Sequence, residues 1–149
     1  MKLHIYLDTS VFSVLLDERT PDRQQATREF WGRLSEFEAC SSSLARDELQ
    51  RTQDPTRRTE LLELLDGLRL HPVTAEMQDL AAAYVDAGIF TPLMLDDATH
   101  VAAAVLTRQD VLLSWNFKHL VNRRRRAMIN EVNVLRGLQT IEIVAPPEL

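Results

Sequence analysis

The stretch that most constrains the fold lies near the start of the chain, where five strand-favouring residues, 3–7, lead directly into Asp8, Thr9 and Ser10. The apolar run is too short for a helix and predicts a strand buried inside a parallel sheet. Thr9 and Ser10 then predict the cap of a helix over residues 11–16. This order would place Asp8 at the carboxyl end of a central strand, the edge at which open α/β sheets bind ligands.

The rest of the chain alternates between strand-like and helical patterns. Further strands are predicted over residues 39–42, 68–73, 111–115 and 140–144. Helices are predicted over residues 22–38, after Ser43 as N-cap, over 56–65 and 74–87, from Asp96 or Asp97 to 106, and over 125–135. Pro72 favours an edge position for its strand. The alternation predicts one domain over residues 1–149, an α/β fold with three layers (α/β/α) and a mostly parallel central sheet.

The composition indicates a folded protein, because 45% of the residues are hydrophobic and 26% are charged. No apolar run approaches the ~20 residues that span a bilayer, and the first residues do not resemble a signal peptide. The single cysteine, Cys40, cannot form an internal disulfide. We therefore expect a cytoplasmic protein with no membrane association, in which Cys40 is a small core residue.

The charge pattern is acidic overall but rich in arginine. The net charge is −5, from 17 Lys and Arg against 22 Asp and Glu, which does not indicate a surface coated for nucleic acid. Arginine nevertheless supplies every basic residue except Lys2 and Lys118, and residues 123–126 are four consecutive arginines. Arginine suits forked phosphate contacts and stacking on bases. Such a run is also commonly a solvated helix face.

Acidic residues at the ends of predicted elements are the strongest chemical signal. Asp8 follows the first strand, Glu48 lies in the helix after the second, and Asp96 with Asp97 opens an apolar helix. Asn116 directly follows a later strand. The carboxyl ends of parallel strands meet at one edge, where gathered carboxylates would repel one another without a cation. Oxygen ligands favour Mg²⁺ or Mn²⁺, which keep waters and need only one or two direct carboxylates.

Each of these residues also has a plain structural explanation. Asp8 can be a helix cap, and one of Asp96 and Asp97 is expected to cap its helix. Glu48 can be a solvated helix residue and Asn116 a turn residue. No single one of them therefore identifies a site, and only their joint order along the chain does.

Other signatures of catalysis are missing. Four glycines leave no room for a phosphate-binding loop or a nucleophile elbow, and there is no Cys/His spacing typical of zinc. His100 lies on an alanine-rich helix and is expected to be a packed, hydrogen-bonded core histidine rather than a ligand.

The order of the acidic residues resembles that of the PIN-domain ribonucleases, most closely the toxins of bacterial toxin–antitoxin pairs. The resemblance covers the whole chain. Asp8, Glu48 and Asp97 match the family's first, second and third acidic positions, and residues 96–104 are the most specific segment. The resemblance implies a divalent-metal-dependent endoribonuclease in which these three carboxylates hold Mg²⁺ or Mn²⁺. The ion would activate a water against a phosphodiester.

Polar residues around the three acids would complete the implied site. Thr9 and Ser10 match the family's hydroxyl positions, and Asp96 supports Asp97. Residues 114–120 resemble a fourth segment, in which many members carry Asp where this chain has Asn116. Asn116 would be the fourth catalytic residue, and it or Ser10 would position a water or a phosphate oxygen. Asparagine offers a carbonyl oxygen but no charge, which leaves weaker metal binding, a single-metal site or slow cleavage open.

The resemblance also implies partners. Arg46, Arg123 and Arg124 would hold the RNA backbone around an acidic cleft that itself repels it, and unpaired bases near the site would set base choice. A small antitoxin would insert a segment into the cleft, and the toxin itself is expected to form a homodimer.

Two alternatives remain open from the sequence. The first keeps the fold and drops the chemistry, giving an RNA- or partner-binding module with a degenerate site, as Asn116 suggests. The second is a Mg²⁺-dependent phosphatase of another α/β family with Asp8 as nucleophile. Such enzymes usually carry a second acid two residues later, where this chain has Ser10.

Overall fold

The computed structural model describes all of residues 1–149 as a sheet flanked by helices. Its strands are β1 (His4–Leu7), β2 (Glu38–Ser42), β3 (Arg69–His71), β4 (Val111–Leu113) and β5 (Glu142–Val144). Its α-helices are α1 (Thr9–Leu15), α2 (Pro21–Gly32), α3 (Ser43–Gln50), α4 (Pro55–Leu64), α5 (Ala75–Asp86), α6 (Leu95–Leu106) and α7 (Arg123–Leu135). Short 3₁₀ turns cover Leu34–Glu36, Pro92–Met94 and Pro146–Glu148. No helix combines the length and the apolar character that crossing a membrane requires.

The five strands form one parallel sheet in the order β3-β2-β1-β4-β5. Strand β1 lies at its centre, where Tyr6 is opposite Cys40 of β2 on one side and Leu112 of β4 on the other. Residues 5–7 are completely buried, as expected for a strand covered on both faces. The predicted α/β fold is confirmed, as are the edge position of β3 and the burial of Cys40. The strand predicted over residues 3–7 lies inside the sheet but begins one residue later, at His4, and Leu3 before it is 46% exposed.

Alternate residues of the sheet enter two separate hydrophobic cores, because successive side chains of a strand point to opposite faces. Tyr6 and Leu112 belong to the core formed with α5, α6 and α7. Ile5 and Leu7 belong to the core formed with α1 to α4. The sheet is therefore the middle of three layers, and its carboxyl edge remains available for a site.

The predicted helix over residues 22–38 is wrong in its last third. Helix α2 ends at Gly32, and a 3₁₀ turn leads into β2. The apolar spacing is satisfied in another way, since Phe37 has an extended backbone (φ −122°, ψ 155°) and its ring centroid lies 5.7 Å from that of Phe30. Gly32, a poor helix former, lies where the chain leaves the helix.

The predicted caps of two helices are shifted by one residue. Asp8 is itself the N-cap of α1 and accepts the N–H of Ser10 at 3.0 Å, so Thr9 and Ser10 are the first helical residues instead of the cap. Ser42 occupies the N-cap position of α3, whereas the hydroxyl of Ser43 accepts the backbone N–H of Val73 at 3.1 Å. In both helices the residue predicted as the N-cap is instead part of the first helical turn.

Neither Asp96 nor Asp97 caps α6, which corrects the prediction for this helix. The 3₁₀ turn before the helix runs directly into it, so that Met94 takes the N-cap position without a side-chain hydrogen bond. Both aspartates lie in the first turn. Their negative charges are favourable there because free N–H groups give a helix N-terminus partial positive charge.

The remaining differences from the prediction concern element ends. Strands β3, β4 and β5 are shorter than predicted by two or three residues, and α7 begins at Arg123 rather than at Arg125. Gly88 and Gly137 end α5 and α7 as predicted, because their φ angles of 78° and 73° lie in the left-handed region that favours glycine.

Candidate active site

Asp8 is a buried carboxylate held by two serines at the carboxyl end of β1. Only 4% of the residue is exposed. Its Oδ1 accepts from the backbone N–H and the hydroxyl of Ser10, and its Oδ2 accepts from the Ser114 hydroxyl at 2.7 Å. Burial raises the pKa of Asp8, although the nearby His100 and the serine hydrogen bonds oppose the rise. The position and orientation of this carboxylate are therefore set by its neighbours.

Glu48 projects from α3 toward the same edge of the sheet. Its Oε1 accepts from the Thr9 hydroxyl at 2.8 Å and lies 2.5 Å from Nε2 of His100. Burial alone would raise the pKa of Glu48, but the hydrogen bonds and charge of His100 and the Thr9 hydrogen bond outweigh it, and the pKa is lowered. Thr9 thus links α1 to the second acidic residue.

His100 is the group on which the acidic residues converge. Its side chain is buried, and its Nδ1 lies 2.7 Å from the hydroxyl of Tyr6. Burial lowers the pKa of His100, but the hydrogen bond to Glu48 and the charges of Glu48, Asp8 and Asp97 outweigh burial and raise it. Glu48 therefore contacts this imidazole directly, whereas Asp8 and Asp97 act on its pKa through their charges. The expectation of a packed, hydrogen-bonded histidine is confirmed, and the histidine lies inside the candidate site.

Asp97 reaches the site from the first turn of α6. Its side chain is 24% exposed, and its Oδ2 lies 2.8 Å from Nδ1 of His119. The backbone N–H of His119 donates to Oδ1 of Asn116 at 2.9 Å. The amide oxygen of Asn116 therefore shapes the loop that carries His119, and His119 in turn contacts the third acid.

A chain of hydrogen bonds connects this loop to Asp8. The backbone N–H of Trp115 donates to the hydroxyl of Ser10 at 2.9 Å, and that of Asn116 donates to the hydroxyl of Ser114 at 2.9 Å. Both serines also donate to Asp8. The end of β1, the start of α1 and the loop after β4 are thereby held in one arrangement.

The remaining predicted site residues lie on the surface. Asp96 is exposed and lines a cavity of about 400 Å³ together with Asp47 and Leu44. The three arginines that the sequence assigns to RNA binding are exposed: Arg46, Arg123 and Arg124. The other two members of the arginine run are structural instead. Arg125 donates to the carbonyls of Ile89 and Lys118, and Arg126 donates to that of Ile143.

Oxygen atoms are the only donors that the three acids offer to a cation. No group of three or more His, Cys, Asp or Glu side chains is arranged so that these side chains alone could hold a metal ion. Glu48 uses only Oε1 and Asp97 only Oδ2 in hydrogen bonds within the protein. One oxygen of each remains free, which fits the one or two direct carboxylates, supplemented by water, that Mg²⁺ requires.

Sequence reasoning missed three contributors to the site. Ser114 and His119 both lie in the segment 114–120, but their contacts to Asp8 and Asp97 depend on how the loop folds back. The hydroxyl of Tyr6 was hidden inside an apolar strand. A tyrosine in an otherwise aliphatic buried strand was the one available signal, since a buried phenol needs a hydrogen-bond partner.

The family to which this fold belongs is shown by the amino-acid sequence. The family model of the PIN domain matches residues 5–117, which is more than half of the chain. The chain therefore belongs to the PIN-domain family, which confirms the resemblance seen in the sequence. Membership rules out the alternative of a phosphatase from another α/β family. Among curated proteins, none matches the sequence significantly.

Similar solved structures include VapC and VapBC proteins. Mycobacterium tuberculosis VapC20, described as a sarcin-ricin loop cleaving toxin, has a TM-score of 0.59 at 17% identity, over 77% of this chain and 92% of that one. DNA-bound VapBC from Salmonella typhimurium has a TM-score of 0.57 at 17% identity, over 97% and 98%. VapBC-5 of Mycobacterium tuberculosis, from a family of toxin–antitoxin systems, has 0.53 at 18% identity, over 95% and 98%. At these identities the likeness establishes the fold.

Proposed function

We propose that this chain is a divalent-metal-dependent endoribonuclease and the toxin of a toxin–antitoxin pair. The observation that carries the proposal is the grouping of acidic side chains around the carboxyl edge of the sheet: Asp8 at the end of β1, Glu48 in contact with His100, and Asp97 in the first turn of the helix that carries His100. Membership of the PIN-domain family supports it. So does the fold shared with VapC20, which is described as a sarcin-ricin loop cleaving toxin.

The free oxygens of Glu48 and Asp97, together with Asp8, would hold Mg²⁺ or Mn²⁺. When bound, the ion lowers the pKa of a coordinated water and offsets charge on the phosphodiester. The chain's own residues set the geometry: Ser10 and Ser114 hold Asp8, Thr9 and His100 hold Glu48, and His119 holds Asp97.

Exposed arginines supply the contacts to RNA that the acidic centre cannot. Arg46 lies two residues before Glu48, and Arg123 and Arg124 begin α7. None of the three is in an ion pair within the chain, so their guanidinium groups are available to phosphates. Asn116 and Ser10 would position a water or a phosphate oxygen.

Partner proteins form part of the same proposal. Leu93 and Leu95 are 98% and 46% exposed next to the first turn of α6, beside the cavity that Leu44 and Asp96 line. Exposed apolar side chains grouped near a cavity favour an interaction surface. They support a small antitoxin that covers the site, and a toxin homodimer. The setting would be the cytoplasm.

The proposal is tested by replacing Asp97 with asparagine, which removes one charge without changing shape. We expect Asp97→Asn to weaken Mn²⁺ binding in calorimetric titration at least about tenfold, the order seen even for loss of a ligand's supporting partner. Cleavage of single-stranded RNA should be lost with it. Without metal the variant should remain folded, because relief of repulsion among the carboxylates offsets part of the interaction lost with His100 and with the N-terminus of α6.

The matched control is Asp86→Asn, which removes an exposed aspartate at the end of α5. It should bind Mn²⁺ and cut RNA like the parent. If Asp97→Asn did the same, the assignment of the site would be wrong.

A second candidate function is a PIN-fold binding module with little catalytic activity. The observation that favours it is Asn116, which brings no charge and uses its amide oxygen on the backbone of His119. A parent chain that binds single-stranded RNA but neither binds Mn²⁺ nor cleaves would select this function.

A further inference from the structure

An exposed aromatic ring and an unpaired guanidinium lie together next to the candidate site. The guanidinium carbon of Arg23, in α2, is 5.1 Å from the ring centroid of Phe117 and 5.5 Å from that of Trp115. The two rings meet edge to face, with centroids 5.9 Å apart. We call these three side chains the aromatic platform.

The platform is fixed from beneath by Trp115. This residue is 7% exposed, and its Nε1 donates to the hydroxyl of Thr27 at 2.9 Å. That hydroxyl donates to the carbonyl of Arg23 at 2.7 Å, one turn earlier in α2. The indole of Trp115 thus connects the loop after β4 to α2. Because the ring of Phe117 packs against this indole, we expect Phe117 to lose little conformational entropy on binding a ligand.

Phe117 and Arg23 are the two exposed members of the aromatic platform. Phe117 is 45% exposed, although burial of a phenyl ring is energetically favourable. The guanidinium of Arg23 is exposed and takes part in no ion pair or side-chain hydrogen bond within the chain. A ligand that suits both groups offers a flat apolar face beside an anion.

The platform adjoins the acidic centre. Phe117 follows Asn116 directly, and the backbone N–H of Trp115 donates to the hydroxyl of Ser10, which donates to Asp8. A strand of nucleic acid that placed one phosphate at the carboxylates would place a neighbouring nucleotide near the platform.

We propose that Phe117 and Arg23 bind one unpaired base of single-stranded RNA next to the phosphate that is cut. The base stacks on the exposed face of Phe117, and Arg23 contacts a flanking phosphate. Stacking on aromatic and guanidinium planes is the usual way in which proteins hold splayed single-stranded bases. An apolar side chain of a protein partner would cover the ring but leave the N–H donors of Arg23 unmatched, which favours the nucleotide. The inference rests on the proposed function, because it assumes that RNA enters the acidic centre.

The test measures RNA binding separately from cleavage. The full chain carrying Asp97→Asn, in EDTA, is titrated against a short fluorescein-labelled single-stranded oligoribonucleotide by anisotropy. Adding Phe117→Ala should weaken binding about 5- to 150-fold, the range that a lost base–aromatic stack gives. Phe117→Tyr should retain the parental affinity. Arg23→Gln should weaken binding and reduce the salt slope by about 0.7, the value for one phosphate contact on a single strand.

Two matched controls separate the platform from general surface effects. Leu135→Ala removes an apolar side chain that is 80% exposed at the end of α7, and Arg28→Gln removes another exposed arginine of α2. Neither should change the affinity. A series of oligonucleotides, each lacking one base at a different position, should be tested against both proteins. Loss of the base at one position should weaken binding to the protein with Phe117 but should not change the affinity of the Phe117→Ala protein.

Failure of this inference differs from failure of the proposed function. The inference is overturned if Phe117→Ala binds RNA like its parent, or if no protein in the series binds RNA. A Phe117→Ala protein that keeps its RNA affinity but loses a protein partner would also overturn it. If RNA binding depends on Phe117 but the unmodified chain with Mn²⁺ does not cut RNA, the aromatic platform is an RNA-binding site and the proposed ribonuclease function is wrong.

Discussion

At the scale of single residues, His100 and Glu48 determine how the acidic centre tolerates its own charge. The charges of Glu48, Asp8 and Asp97 raise the pKa of His100, so that below its folded-state pKa this residue supplies a positive charge from within the protein. The direct contact of His100 with Glu48 lowers the pKa of that carboxyl. A buried charge is costly unless it is paired, so the histidine stabilises the site in the absence of a metal ion.

The pH dependence of stability in EDTA follows from these two shifts. The lowered pKa of Glu48 gives stability that is present above about pH 4.3 and lost as the pH falls through the folded-state value. The raised pKa of His100 gives stability that is complete below about pH 6.5 and lost as the pH rises through the folded-state value. Urea unfolding should therefore show falling stability as the pH is raised above about 6.5. His100→Gln should abolish that fall, whereas His4→Gln, at an exposed position, should retain it.

Asn116 occupies the position at which the family resemblance leads us to expect an aspartate. We expect Asn116→Asp to tighten Mn²⁺ binding by at least ~1 kcal/mol, about fivefold, which is the Coulomb energy of one charge pair at 4 Å in water. The new carboxylate can still accept the N–H of His119, so the loop should keep its shape. Calorimetric titration measures the change. Asn116→Ala, which removes the acceptor and adds no charge, should bind Mn²⁺ no more tightly than the parent. Equal affinity for the Asp and Ala variants would contradict the expectation.

At the scale of elements, α7 divides its arginines between two tasks. Arg123 and Arg124 are exposed in the first turn, whereas Arg125 and Arg126 donate to backbone carbonyls outside the helix. Arg125 also lies over the ring of Phe90, 5.3 Å from its centroid. Consecutive residues of a helix point in directions about 100° apart, so a run of four identical side chains cannot serve a single surface.

This division predicts opposite effects within one arginine run. Arg123→Gln and Arg124→Gln should each lower the salt slope of single-stranded RNA binding by about 0.7 without changing stability. Arg125→Gln should cost about 1–2 kcal/mol of stability, because it removes hydrogen bonds from a charged donor. Salt-dependent binding and urea unfolding of the three variants provide the measurements. A stability loss for Arg123→Gln equal to that for Arg125→Gln would show that the division is wrong.

At the scale of the whole molecule, the site exists because a parallel sheet brings distant segments together. Asp8 follows β1, Glu48 lies in the helix after β2, and the loop after β4 brings Ser114 to Asp8. Asp97 lies in the first turn of α6 and contacts His119 of the loop after β4. Every crossover connection returns the chain to the opposite edge, so successive strand ends collect on one side.

If the whole chain is a toxin, its expression should arrest bacterial growth and translation. The arrest should depend on the acidic centre, so cells that express Asp97→Asn should grow normally at matched protein levels, whereas Asp86→Asn should still arrest them. Co-expression of a small protein encoded directly upstream should relieve the arrest. Normal growth with the unmodified chain, expressed as folded protein, would remove most of the support for a toxin.

The sequence by itself determined the architecture, and it predicted three acids for the site. A short apolar run before Asp8, and the alternation of periods that follows it, were enough to predict the parallel sheet with β1 inside. These signals are local, because hydrophobic periodicity and short motifs are complete within a few residues. The prediction of a helix over residues 22–38 was wrong at its end because the position of Phe37 depends on a tertiary contact. Phe37 packs on Phe30 from an extended chain instead of from a further helical turn.

Only the tertiary structure decided how the acids are held and which arginines are free. The contacts of His100 to Glu48, Ser114 to Asp8 and His119 to Asp97 join residues that are 52, 106 and 22 positions apart. Nothing in a sequence pattern encodes such distances, because they arise from the order of strands in the sheet and from the direction of each loop. Burial likewise separated Arg125 from Arg123, which are the same residue type two positions apart in one helix.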